Sequence, residues 1–86
     1  MIFTVKLSRE AVKVLDCLDR CLESRIREGL HNLENEPSNQ GKMLKGMEGL
    51  RSLRVGDWRI LFTLDDDIQV VYVLAIRPRG QAYRNL

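Results

Sequence analysis

Arginine is the residue type that this sequence sets out in a usable pattern. Arg54 and Arg59 flank Val55-Gly56-Asp57-Trp58, and Arg77-Pro78-Arg79-Gly80 is followed by Tyr83 and Arg84. A guanidinium can grip a phosphate through two parallel N–H donors, and a phenol can stack on a base or hydrogen-bond a reacting oxygen. No His–carboxylate or Cys–His pairing accompanies them, and His31 is the only histidine in the chain. General-base carboxylate, metal and nucleophilic-cysteine chemistry are therefore poorly supported. Phosphate-ester chemistry driven by charge stabilisation is what these groups suit.

The elements that must position these side chains follow from periodicity. From about Leu50 the apolar pattern has a period of two, and residues 50–55 and 58–64 read as strands flanking Gly56-Asp57. Glycine in the first turn position suits a type II′ hairpin. Counting outward from that turn places Val55 opposite Trp58, Arg54 opposite Arg59 and Leu53 opposite Ile60. Leu53, Val55, Trp58, Ile60 and Phe62 then share a core face, while Ser52, Arg54, Arg59 and Leu61 share the other. Two arginines directly opposite each other cost up to about 1 kcal/mol, which selection for stability alone would avoid. Either both splay into solvent or they form a cationic surface for phosphate. After an Asp65–Asp67 turn, residues 68–76 are apolar on both faces, as a central strand would be. Simple alternation places Val70, Tyr72, Leu74 and Ile76 on the core face and Val71, Val73, Ala75 and Arg77 on the arginine face.

The first half of the chain has to supply the cover. Residues 2–7 alternate as a strand with Phe3, Val5 and Leu7 on one face. Ser8 is a good N-cap for a helix carrying Ala11, Val14, Leu15 and Leu18, and Asp19 can cap a second with Leu22, Ile26, Leu30 and Leu33 on one stripe. Asn35-Glu36-Pro37 stops that helix, and Ser38 to Gly41 is loop. The order β-α-α-β-β-β predicts an α+β fold: a small twisted antiparallel sheet with an N-terminal strand and a two-helix hairpin on one face.

Length and composition agree with a single domain over residues 1–86. Apolar residues are 44% and charged residues 30% of the chain, which are globular proportions. No apolar run approaches the roughly 18–20 residues of a membrane span, and the start does not read as a signal peptide, so a cytoplasmic location is expected. Residues 1–41 hold 6 basic and 7 acidic side chains, net −1, whereas residues 42–86 hold 8 basic and 5 acidic, net +3. Three of those five acids are the single run Asp65–Asp67, so the later cations lie away from their compensation and hint at a polyanion partner. Cys17 and Cys21 are four apart on a helix, a spacing that suits a disulfide poorly, and they read as reduced residues. Asp65–Asp67 reads as a solvated turn rather than a metal site, His31 as a solvated side chain, and Trp58 as core at the hairpin end. Neither a metal nor another cofactor is expected.

Three segments carry a family resemblance: Leu44-Lys45-Gly46-Met47, Leu53-Arg54-Val55-Gly56-Asp57-Trp58-Arg59, and Ile76-Arg77-Pro78-Arg79-Gly80-Gln81-Ala82-Tyr83-Arg84. Together they resemble the RelE/ParE toxin superfamily of type II toxin–antitoxin systems, over essentially the whole chain. The resemblance implies the same fold and, for its RelE-like branch, an mRNA interferase cleaving messenger RNA in the ribosomal A site. There a 2′-hydroxyl attacks its neighbouring phosphodiester, basic residues stabilise the charge, and a C-terminal tyrosine handles a proton. By motif, Arg54, Arg59, Arg79 and Tyr83 are the implied catalytic residues. Lys42, Lys45, Arg51, Arg77 and Arg84 are implied contacts to RNA or ribosome. Whether Arg77 or Arg79 matches the working arginine depends on gap placement, and Arg79 is favoured.

One departure matters. The basic residue often found at the position of Ser52 is missing, and a base sits one place earlier, as Arg51. Alternation points Arg51 to the core-side face. Guanidinium stays protonated throughout the working pH range, so Tyr83, a phenol of ordinary pKa about 10, is the matched group left to handle protons. The alternatives are a ParE-like inhibitor of DNA gyrase and a catalytically degenerate homologue. The resemblance also implies a RelB-like antitoxin as partner. The chain has no DNA-reading element of its own, so DNA binding would come through that partner.

Overall fold

In the computed structural model the described residues are 2–35, 42–43 and 49–78, with residues 42–43 placed by backbone. The order is β1 (Thr4–Leu7), α1 (Arg9–Cys17), α2 (Arg20–Asn35), β2 (Lys42–Met43), β3 (Arg51–Val55), β4 (Trp58–Asp65) and β5 (Val70–Pro78). The sheet runs β1-β5-β4-β3-β2. The expected order of elements is observed, with the two-residue β2 added at one edge. The sheet is antiparallel from β2 to β5, as expected. Edge strand β1 is the exception, for it lies parallel to β5 and makes the sheet mixed.

Local chemistry sets the boundaries. Ser8 Oγ accepts from the Ala11 N–H at 3.1 Å and donates to the Leu74 carbonyl at 2.7 Å, so one hydroxyl caps α1 and pins it to β5. Asp19 caps α2 by accepting from the Leu22 N–H at 2.9 Å. The Phe3 N–H donates to the Glu34 carbonyl and ties the start of β1 to the end of α2. In the β4–β5 turn Asp65 Oδ1 accepts from the N–H groups of Asp67 and Ile68, which explains one acid of the Asp65–Asp67 run as a turn cap. No group of potential metal ligands occurs among the described residues.

Both helices pack on one face of the sheet. Ala11 and Leu15 of α1 and Ile26, Leu30 and Leu33 of α2 meet Ile60, Phe62, Val71, Val73 and Ile76 in one buried cluster. Phe3, Val5, Leu7, Leu53, Val55 and Trp58 close its rim. Helix α2 comes close because Gly29 lacks a side chain: a Cβ there would stand 3.2 Å from Val55 Cγ2. Cys17 and Cys21 are free and exposed, and His31 is largely exposed beside Glu34.

Strand β5 departs from simple alternation. Leu61 pairs with Ala75 but Phe62 pairs with Val73, so Leu74 is an extra residue in a β-bulge. The bulge inverts the parity of the strand. Val71 and Val73, assigned by counting to the arginine face, are buried under the helices, and Tyr72 and Leu74, assigned to the core, are exposed. Beyond the bulge the counted faces are restored, with Ile76 in the core and Ala75 behind it. On that far face Leu50, Leu61 and Ala75 form a second small buried cluster.

Candidate nucleic-acid interface

The Gly56-Asp57 turn holds its expected form. Gly56 has φ +59°, and among the described non-glycine residues only Gln69 has a positive φ, so Asp57 is on the negative side as type II′ requires. The register then falls as counted: Val55 opposite Trp58, Arg54 opposite Arg59, Leu53 opposite Ile60. Strand β5 extends the pattern, since Arg59 is also opposite Arg77. Arg54, Arg59 and Arg77 therefore form one row across three adjacent strands, which are spaced about 4.8 Å apart.

The three arginines are not equivalent. Arg77 is half-buried and forks onto Glu10 in the first turn of α1, Nε to Oε2 and Nη2 to Oε1, both at 3.0 Å. The hydrogen-bonded guanidinium holds the Glu10 carboxyl below the ordinary carboxylate range, burial opposing it, and the same contact raises Arg77. Arg54 spends its Nε on the Gly56 carbonyl at 3.2 Å. Among the described residues neither Arg54 nor Arg59 has a carboxylate at ion-pair distance. The positive charge of the row is thus open at its β3–β4 end and compensated at its β5 end.

The Glu10–Arg77 pair makes a pH prediction. A carboxyl whose folded pKa is depressed contributes stability above its unfolded pKa of about 4.3 and loses it as pH falls through the folded value. Glu10→Gln is expected to lower stability at pH 7 by up to about 1 kcal/mol, since the pair is partly exposed. The gap between wild type and variant should begin to narrow as the pH falls through the unfolded value and close once it has passed the depressed folded value, where wild-type Glu10 is protonated too. Urea denaturation at several pH values measures it; a gap constant down to pH 3 would contradict the assignment.

The other expected site residues fall in different places. Arg51 pairs with Phe62, which puts it on the helix-side face and off the row, as alternation required. Lys42 occupies the position opposite Ser52 on edge strand β2. Lys45, Arg79, Tyr83 and Arg84 lie outside the described residues. One cation was not singled out from the sequence. Arg25, exposed on α2, lies against the hairpin turn: a Cβ on Gly56 would stand 3.3 Å from its Nη2 and 3.5 Å from its Nη1. Its signal was available in helical phase, because Arg25 is one turn before Gly29, the residue that brings α2 onto β3.

Comparison with known proteins decides the family. Residues 5–83 match the family model described as ParE toxin of type II toxin–antitoxin system, parDE. The chain belongs to the RelE/ParE toxin family. The toxin is similar to Toxin RelG of Mycobacterium tuberculosis, 31% identical over 86 residues, covering 98% of this chain and 99% of that protein. It is also 40% identical over 53 residues to Toxin RelE of the same organism; that match spans 60% of this chain and about half, 55%, of the relative. The fold is similar to that in the crystal structure of the toxin–antitoxin complex RelBE2 from M. tuberculosis, with TM-score 0.81 and 29% identity over 92% of this chain and 100% of that one. The resemblance read from three sequence segments, and the fold it implied, are thereby borne out. Among the described residues no helix is long and apolar enough to cross a membrane.

Proposed function

We propose that the toxin arrests translation in the cytoplasm as a ribosome-dependent endoribonuclease that cuts messenger RNA in the A site. The observation that supports this best is the Arg54–Arg59 pair, two arginines directly opposite each other in the β3–β4 register with no carboxylate partner among the described residues. Like charges held together stabilise an incoming anion more than they stabilise the fold.

In the reaction, a ribose 2′-oxygen attacks the adjacent phosphorus and the bond from phosphorus to the 5′-oxygen breaks. The products are a 2′,3′-cyclic phosphate and a free 5′-hydroxyl, with one proton leaving the attacking oxygen and one reaching the departing oxygen. Arg54, Arg59 and Arg79 stabilise the added negative charge on the phosphoryl oxygens. None can act as a base, because guanidinium remains protonated. Tyr83 exchanges the proton or positions the reacting oxygen. Lys42, Lys45 and Arg84 hold the surrounding RNA, Arg77 joins them to the extent that RNA competes with Glu10, and Arg51, on the helix-side face, does not. A RelB-like antitoxin with an acidic segment neutralises the toxin by binding Arg54, Arg59 and Arg79 or by displacing residues 77–86.

Purified toxin on ribosomes programmed with a defined A-site codon, with message ends mapped by primer extension, tests this directly. Tyr83→Phe is expected to lower cutting by about 10²–10⁴-fold, the range for loss of a proton-transfer group. Cutting of naked RNA should be far weaker. The ParE family match favours a second reading, inhibition of DNA gyrase, which has no evident use for the Tyr83 phenol. An intact message alongside growth arrest that Tyr83→Phe leaves unchanged would select that reading.

A further inference from the structure

We propose that Arg25 and Arg54 form a second phosphate-binding pair at the tip of the β3–β4 hairpin, which holds an RNA phosphate next to the one engaged at Arg59. This rests on the function proposed above and adds to it a substrate-binding residue. The two guanidiniums reach Gly56 from different elements. Arg54 donates Nε to the Gly56 carbonyl, and Arg25 lies over the Gly56 α-carbon, its Nη2 3.3 Å from where a Cβ would stand. Glycine at 56 is required by the backbone φ of +59°, and its missing side chain lets Arg25 approach without a shift.

Between α2 and β3 this leaves an open groove of about 270 Å³ with both arginines on its wall. The one carboxylate lining it, Glu28, pairs with neither arginine, and neither has a carboxylate at ion-pair distance among the described residues. Glu28 lies one helical turn from Arg25 and disfavours a second phosphate further along α2, which directs a bound strand back over the sheet. Arg54 belongs both to the groove and to the arginine row, so it joins Arg25, on the helix side, to Arg59 on the opposite face in one cationic track around the hairpin. A polyanion with regularly spaced phosphates fits that track better than a single acidic side chain would.

Single-turnover cutting on programmed ribosomes, with the toxin titrated in excess, reads the pair. Arg25→Ala should raise the half-saturating toxin concentration about 10-fold and leave the saturated rate unchanged. Arg25→Glu should raise it further, and Arg25→Lys, which keeps the charge, should restore most of it. The dependence of half-saturation on salt should fall by about 0.7 in log–log slope, the loss of one single-strand phosphate contact. Arg25 is exposed, so an unchanged circular dichroism spectrum is expected for each variant. Unchanged half-saturation and slope would overturn the proposal, as would a lowered saturated rate at unchanged half-saturation. A defect confined to neutralisation by an acidic antitoxin would also overturn it and give the groove to a protein partner. Failure of the wild type to cut would instead sink the function proposed above. The pair is then judged by fluorescence anisotropy with a 2′-O-methyl oligoribonucleotide, where equal affinity of wild type and Arg25→Ala overturns it and a roughly 10-fold loss upholds it.

Discussion

Replacing Arg59 by glutamine is expected to lower message cutting by about 10²–10³-fold, the cost of removing one preorganised charge-stabilising donor. The same change should leave the fold at least as stable as the wild type. Arg59 is the middle of the row, opposite Arg54 on one side and Arg77 on the other. Arg77 is compensated by Glu10, so the repulsion relieved is mainly that with Arg54 and amounts to no more than about 1 kcal/mol. Glutamine keeps the length and a hydrogen-bonding end while removing the charge. Urea midpoints and single-turnover rates measured on the same preparation separate the two effects. Opposite signs are the signature of a residue retained for its chemistry; a parallel loss of stability and rate would make Arg59 a structural residue.

The largest effect on stability is expected at Phe62. Its side chain is fully buried in central strand β4, between Arg51 on β3 and Val73 on β5, in the cluster joined by both helices. Phe62→Ala removes a large apolar surface and leaves a cavity that a sheet closed on both sides cannot collapse to fill, at a cost of about 3–5 kcal/mol. An 86-residue domain has roughly 4–13 kcal/mol of stability in all, at about 0.05–0.15 kcal/mol per residue. The variant should therefore be largely unfolded or melt far below the wild type in thermal circular dichroism. Phe62→Leu, which keeps most of the volume, should retain the fold. A cooperative Phe62→Ala transition near the wild-type midpoint would show that the core is not centred here.

The short-range features were legible because each depends on few residues. Ser8 and Asp19 cap the helices they precede, and a two-residue turn with glycine first fixes the pairing of Arg54 with Arg59 by counting alone. What escaped requires knowledge of the far side of the chain. The bulge at Leu74 inverts one stretch of β5, and a strand apolar on both faces carries no alternation that would betray it. The parallel docking of β1 is set by Ser8 and the β1–β5 ladder, not by a local turn. Arg77 looked like one more free cation until α1 brought Glu10 to it from 67 residues away in sequence. Arg25 reads as an ordinary exposed helix position, and only its packing against Gly56 adds it to the site.

The β1–β5 pairing has a consequence for when the toxin comes into being. Ser8 finds its partner Leu74 across 66 residues, and β1 has no neighbour in the sheet other than β5. A growing chain that has not passed residues 70–78 holds β1 and α1 without the strand they pair with and pack on, lacks Val71, Val73 and Ile76 from its core, and lacks the third member of the arginine row. Contacts this distant in sequence form late and slowly. No N-terminal fragment that ends before β5 is a partial toxin: translation that stops there yields a chain without its core, open to proteases, and the folded toxin exists only after that strand has been made.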